Sequence, residues 1–150
     1  MNETKVVEVE VYSIYQQNLE TEGTAADETF VVVLKEKNRN RFLPIWIGKP
    51  EAHAIYMGIK GIVYERPLTH DLIKNIIDAF DIVLEKIVIN ALKDTTYYAR
   101  LLFRDKEGNI YSIDARPSDS IAIALRTGSK IYVAEEIMQR GEEIDLKEGI

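Results

Sequence analysis

Over the first part of the chain, apolar and polar residues change places at every second position. In KVVEVEVYSIY (5–15), Val7, Val9 and Val11 oppose Glu8 and Glu10, the two-residue period of a strand with one covered face. Residues 16–28 are polar and acidic around Gly23 and predict a loop or hairpin excursion. The stretch TFVVVLKEKNRNRFLPIWIG predicts two strands, about 29–36 and 41–47, around a tight polar turn at 37–40. Residues 30–34 are apolar on both faces, the pattern of a strand covered from both sides.

The period then lengthens to that of a helix. Pro50 suits a first helical turn, and Ala52, Ile55, Tyr56 and Ile59 form an apolar stripe that ends at Gly61. A second helix is predicted with Thr69 as its N-cap and Asp71 set against the positive end of the helix dipole. Its expected buried face is Leu72, Ile73, Ile76, Ile77 and Phe80. Strand patterns return at 83–92, 96–104 and 110–115. Pro117 opens a third helix with Ile121, Ala122 and Leu125 inward, closed by Gly128; a short apolar IYV leads to a last helical segment at about 134–140.

This order, strand-strand-strand-helix-helix repeated, predicts an α+β fold: one compact domain over 1–140 with mainly antiparallel sheets and an acidic tail at 141–150. Its two related halves are expected at about 5–80 and 82–140. A shift of 68 positions pairs Leu34 with Leu102, Ile45 with Ile113, Glu51 with Asp119, Ala54 with Ala122 and Ile55 with Ile123 without a gap. A period this long is not that of a solenoid and fits two lobes sharing their helices.

Composition narrows the setting. With 46% hydrophobic and 29% charged residues the chain is ordinary globular material. It has no apolar run of membrane-spanning length, and MNETKVVEVEV lacks the plan of a signal peptide. The absence of cysteine removes disulfides and thiolate metal sites, so a cytoplasmic location with no membrane partner is expected. The net charge of −6 argues against a broad basic surface for nucleic acid. A polyanion would have to be met by a local patch or through a metal.

Two helix starts concentrate the candidate chemistry: ERPLTHD (65–71) and DARPSDS (114–120). With Glu51 they supply Arg66, His70, Asp71, Asp114, Arg116, Ser118 and Asp119. Without cysteine, a metal site here would use carboxylate oxygens, which suit Mg²⁺ or Mn²⁺ and can orient a water for phosphodiester cleavage. Arg66 and Arg116 carry the planar donors that match a phosphate. Plainer roles account for the same residues: Thr69, Ser118 and Asp119 as caps, Asp114 with Arg116 as a structural ion pair. His70 lies beside its apolar stripe, where it is either a general base or phosphate contact or simply a surface residue. His53 reads as packing or surface, and Tyr12, Tyr15, Tyr97, Tyr98 and Tyr111 as cross-strand packing rather than base-stacking platforms. Asp114 falls on the opposite strand face from Tyr111 and Ile113, at a strand end that feeds a helix. Dinucleotide, Walker, zincin and hydrolase-elbow motifs are all missing.

Three segments in order, FLPIWIGKPEAHAI (42–55), RPLTHDLI (66–73) and IDARPSDSIAIALR (113–126), closely resemble the bifunctional nuclease domain family, with the likeness running over about 6–140. The resemblance implies nuclease activity on both DNA and RNA, and its polar motif positions are Glu51, Arg66, Thr69, His70, Asp71, Asp114, Arg116, Ser118 and Asp119. Chemistry then assigns roles. Asp114 and Asp119, joined by Asp71 or Glu51, would hold Mg²⁺ or Mn²⁺. His70 would act as general base, and Arg66, Arg116, Thr69 and Ser118 would bind the substrate. The alternative is a non-catalytic ligand-binding or protein-interaction domain with a small anion pocket at its helix starts. Exposed strand edges predict a homodimer or higher homo-oligomer.

Overall fold

The computed structural model describes residues 5–17 and 29–141. Most of the predicted 16–28 excursion and all but the first residue of the 141–150 tail lie outside them. The elements are β1 (Val6–Gln17), β2 (Thr29–Glu36), β3 (Phe42–Ile47), α1 (Lys49–Lys60), α2 (Thr69–Ala79), β4 (Val83–Lys93), β5 (Thr96–Arg104), β6 (Ile110–Ala115), α3 (Pro117–Thr127), β7 (Lys130–Ala134) and α4 (Glu135–Gly141).

The α+β class is observed, but the strands form one sheet. Its order is β3-β2-β1-β7-β4-β5-β6, antiparallel throughout except where β4 and β7 run parallel. The apolar IYV at 131–133 is too short for its period to identify an element. It becomes the middle strand because Ile131 and Val133 enter the core between the two three-stranded meanders. The chain therefore does not divide into two sheets, and β7 separates the helices that the sequence pattern places consecutively. The 68-residue spacing does hold for the elements that lead into the site: β3 and β6 begin 68 residues apart, as do α1 and α3.

One apolar cluster joins Val32, Leu34, Ile45, Ile87, Ile89 and Leu101 of the strands to Ile55, Ile121, Ile123, Ile137 and Met138 of the helices. Val31, Val32, Val33 and Leu34 are all fully buried, as the two-faced apolar run predicts. Two helix faces differ from expectation. On α1 the buried residues are Ala52, Ala54, Ile55 and Met57, while Tyr56 and Ile59 are exposed. On α2, which packs chiefly on α3 rather than on strands, Ile77 is buried and Leu72, Ile76 and Phe80 are exposed. A helix at the edge of the helical layer buries a narrower stripe than its apolar content allows.

Away from the site, a buried charge cluster ties the β2–β3 turn to α4. Arg41 donates through Nε to Glu36 at 2.5 Å and through both terminal nitrogens to Glu135 at 2.8 and 2.7 Å. At the β4–β5 hairpin, Asp94 and Thr95 both take positive φ, 49° and 67°. A two-residue turn of this kind follows the sheet's twist, but a β-branched side chain is strained there. Thr95→Gly is expected to stabilise the protein by about 1 kcal/mol, read as a rise in melting temperature of roughly 2–4 °C.

Candidate functional site

Three helices begin at one place. Each carries a carboxylate at its third residue, Glu51 in α1, Asp71 in α2 and Asp119 in α3. Side chains there can turn back on the N-terminal backbone N–H groups, which lack helical partners. The three do different things.

Asp71 is the cap of α2. Its Oδ2 accepts from the Leu68 N–H at 3.0 Å, so Leu68 holds the N-cap position and Thr69 is the first helical residue. Its Oδ1 accepts from Arg126 Nε at 2.7 Å, and Arg126 Nη1 also donates to the Ala54 and Ala122 carbonyls. The Arg126 side chain, only 6% exposed, thereby pins α1 and α2 to its own helix. Burial acts to raise the Asp71 pKa, but the bonds from Arg126 and Leu68 outweigh it and hold the group below the ordinary carboxylate range. A cavity of about 410 Å³ opens beside this pair, lined mainly by the 61–65 segment and α2, and the buried Arg126 Nη2 has no hydrogen-bond partner among the described residues.

Glu51 and Asp119 are joined through Arg116. Arg116 donates to Asp119 Oδ2 through Nε at 3.0 Å, to Asp119 Oδ1 through Nη2 at 3.3 Å, and to Glu51 Oε1 through Nη1 at 3.3 Å. Asp119 Oδ1 also faces His70 Nε2 at 2.9 Å. Gly48 leaves room for this arrangement, since a Cβ there would meet Glu51 Oε2 at 2.6 Å. Burial works to raise the Asp119 pKa, and hydrogen bonds from Arg116 and His70 overcome it, leaving the carboxyl below its usual range. An ionised carboxylate only accepts, so Nε2 of His70 carries a proton toward it, and no hydrogen bond from the described residues reaches Nδ1.

These residues line a cavity of about 310 Å³ with Pro50, His53, Ala54, Leu68 and Thr69. A second cavity of about 330 Å³ lies across the Glu51–Arg116 link and is lined by Trp46, Thr95, Tyr97 and Ser118 among others. His53, assigned to packing or surface from the sequence, is an exposed residue on the first cavity's wall. The only signal for it was its place two residues beyond Glu51 on the same helix.

Not every predicted residue arrives. Arg66 is exposed in the α1–α2 segment and makes no hydrogen bond or ion pair with the described residues. Its neighbour four positions on, His70, reaches the Arg116 motif instead. Asp114 does project from the face opposite Tyr111 and Ile113, but it is 71% exposed, outside both cavities, with Arg100 at 4.0 Å. It is not the ion-pair partner of Arg116. Ser118 is buried beside the second cavity, and Thr69 sits at the mouth of the first.

The set Asp114, Asp119 and Asp71 therefore does not converge, and no group of three or more metal-ligating side chains occurs among the described residues. Asp71 is held by Arg126, and Arg116 stands between Glu51 and Asp119, where a cation would have to displace it. These residues do not fit the three-carboxylate centre.

Acid should loosen the contacts of both Asp71 and Asp119. Because their native pKa values are depressed, the stability they confer is complete above the unfolded value near 4 and is lost as pH falls through the lower native values. Thermal melts between pH 6 and pH 2 are expected to show a steep decline below pH 4, shallower in Asp71→Asn.

Comparison with known proteins gives a matching result. The bifunctional nuclease domain matches residues 32–145. Two uncharacterised proteins of Mycobacterium tuberculosis, from strains CDC 1551 and H37Rv, are each 48% identical over 108 residues, covering 72% of this chain and 63% of theirs. The chain thus spans less than two thirds of the length of the curated relatives it matches.

Proposed function

Since the chain belongs to the bifunctional nuclease domain family, we propose that it hydrolyses phosphodiester bonds of DNA and RNA at the His70–Asp119–Arg116–Glu51 cluster. The observation that carries this is the His70–Asp119 pair at 2.9 Å, set in a cavity at three helix N-termini with a guanidinium alongside. Asp119 orients the imidazole and stabilises the cation that forms when Nδ1 takes a proton from water. The water oxygen bonds to phosphorus, the bond to the leaving oxygen breaks, and the proton returns to that oxygen from His70. Arg116 exchanges part of its carboxylate contact for the phosphate, and the helix N-termini favour negative charge there. Contacts to a single phosphodiester read no bases, which suits cleavage with little sequence preference.

The cluster holds two carboxylates against one guanidinium, so with a net charge of −6 the phosphate would be met by Arg116 and the helix N-termini rather than by a basic surface. These protein groups and water complete the step, and dependence on a divalent cation is measured separately. The test uses labelled single-stranded DNA and RNA with purified protein, in Mg²⁺, in Mn²⁺ and in excess chelator. Arg116→Gln is expected to raise KM by roughly 10–100-fold, since charged hydrogen bonds contribute about 1.5–3 kcal/mol. Asp114→Asn should leave cleavage unchanged. Binding of the substrate without cleavage under every condition would favour the non-catalytic anion-pocket alternative.

A further inference from the structure

The two ends of the sheet are unlike. At one end β3 carries Pro44 in its interior, which removes an N–H from the edge, a common way of blunting a strand against pairing. At the other end β6 (IYSIDA) has no proline, no lysine and no bulge in its register with β5. Its first five residues are exposed, including Ile110, Tyr111 and Ile113, at 58%, 51% and 49%.

The register with β5 puts Tyr111 and Ile113 opposite Phe103 and Leu101, on the face that elsewhere is covered by helices. At β6 no element among the described residues covers it. Helix α2 packs on α3, and a side chain near each of its ends meets a residue close to one end of β6. His70 meets Asp119, four residues beyond Ala115, and Asp81 meets Lys106 at 2.8 Å, four residues before Ile110. From His70 to Asp81 is about 16 Å of helix, and β6 spans about 16 Å of strand. Along α2 the exposed Leu72, Ile76 and Phe80, at 50%, 48% and 71%, recur every fourth residue. Strand and helix thus both expose apolar side chains near this edge of the sheet, where the Ser112 carbonyl accepts from Arg100 Nη2 at 2.8 Å and would exchange that bond for one to a pairing strand.

We infer that β6 and the outer stripe of α2 form the face on which a second copy of this chain docks, with β6 pairing antiparallel to its own equivalent across a two-fold axis at Ser112. In that register Tyr111 lies across from Ile113 of the other copy, an aromatic–β-branched pair made twice, and Asp114 lies across from Ile110, so no like charges are opposed. The five apolar side chains of this face, with Ile110 on the other face of β6, present on the order of 600 Å² per copy, close to the roughly 800 Å² per partner of a stable interface once strand backbone is added. The docking surface is independent of the proposed chemistry and stands or fails without it.

The absence of native cysteine makes the test direct. In Ser112→Cys the two Cα atoms across the axis would lie about 4.5–5.5 Å apart, within reach of a disulfide. Mild oxidation is expected to give a covalent species of twice 17.2 kDa from Ser112→Cys and none from Trp46→Cys on the opposite edge. By sedimentation equilibrium the wild-type chain should be a dimer. Ile113→Lys and Phe80→Glu, both at positions exposed in the single chain, should each raise the dimer Kd by about 30-fold or more with an unchanged circular dichroism spectrum. A wild-type monomer at all concentrations, or cross-linking through position 46 in place of 112, overturns the assignment. A Ser112→Cys thiol that becomes reactive only when residues 142–150 are deleted also overturns it, giving this face to the chain's own tail.

Discussion

His70→Asn is expected to lower kcat for both DNA and RNA cleavage by roughly 10²–10⁴-fold, the range lost when a positioned acid–base group is removed. The substitution keeps a side chain near Asp119 but removes the Nδ1 base, so KM should change little. One partly buried hydrogen bond is lost, about 1 kcal/mol, and the melting temperature should fall by no more than roughly 4 °C. Asp119→Asn should be similarly damaging to kcat through a different cause. Its amide no longer stabilises the imidazolium, and its N–H₂ group can fix the wrong tautomer. Equal activity in wild type and His70→Asn, measured on the same preparation freed of other nucleases, would remove the imidazole from the mechanism. Loss of both DNA and RNA cleavage in one variant would also place the two activities at one site.

Arg41→Met carries the largest expected effect on stability. Arg41 is 5% exposed and is the shared partner of Glu36 and Glu135, and its truncation leaves two carboxylates facing each other with their cation gone. Breaking a buried ion pair from one side costs about 3–5 kcal/mol, which predicts a fall in melting temperature of roughly 10 °C or more. Arg41 holds the Glu135 carboxyl below its ordinary pKa against the opposing effect of burial. That share of the stability is present above the unfolded value near 4.3 and disappears as pH drops through the lower native one. The variant should therefore lose less stability than wild type on acidification below pH 4. Replacing all three residues by apolar ones of similar size should recover much of the loss, because the penalty arises from orphaned charge rather than from missing attraction. A melting temperature unchanged in Arg41→Met would mean that water reaches the cluster.

What sequence could reveal about the site depended on how local each signal was. The Arg-Pro stretches at 66–67 and 116–117 look alike, yet only Arg116 enters the site. Arg66 precedes its helix by three residues and stays outside, whereas Arg116 is the N-cap of α3 and is aimed by the strand directly before it. Asp71 and Asp119 occupy the same third helical position and read as equivalent ligands. Their difference comes from Arg126, 55 residues from Asp71, and from His70, 49 residues from Asp119. Periodicity likewise could not tell the inner from the outer apolar stripe of α2, since both have helical spacing and only the position of α3 decides between them.

By itself the sequence determined every element but β7, the mostly antiparallel α+β class, the three helix starts and the set of polar groups from which a site could be built. Those properties rest on two-residue and 3.6-residue periods and on proline and glycine punctuation, all short-range. The tertiary structure alone decided that the strands make one sheet with β7 at its middle. It decided that Arg116 links Glu51 to Asp119, that His70 completes the cluster, and that Asp71 and Asp114 are drawn to other arginines. Which charge meets which depends on how helices dock over the sheet, and that docking is set by the whole core at once.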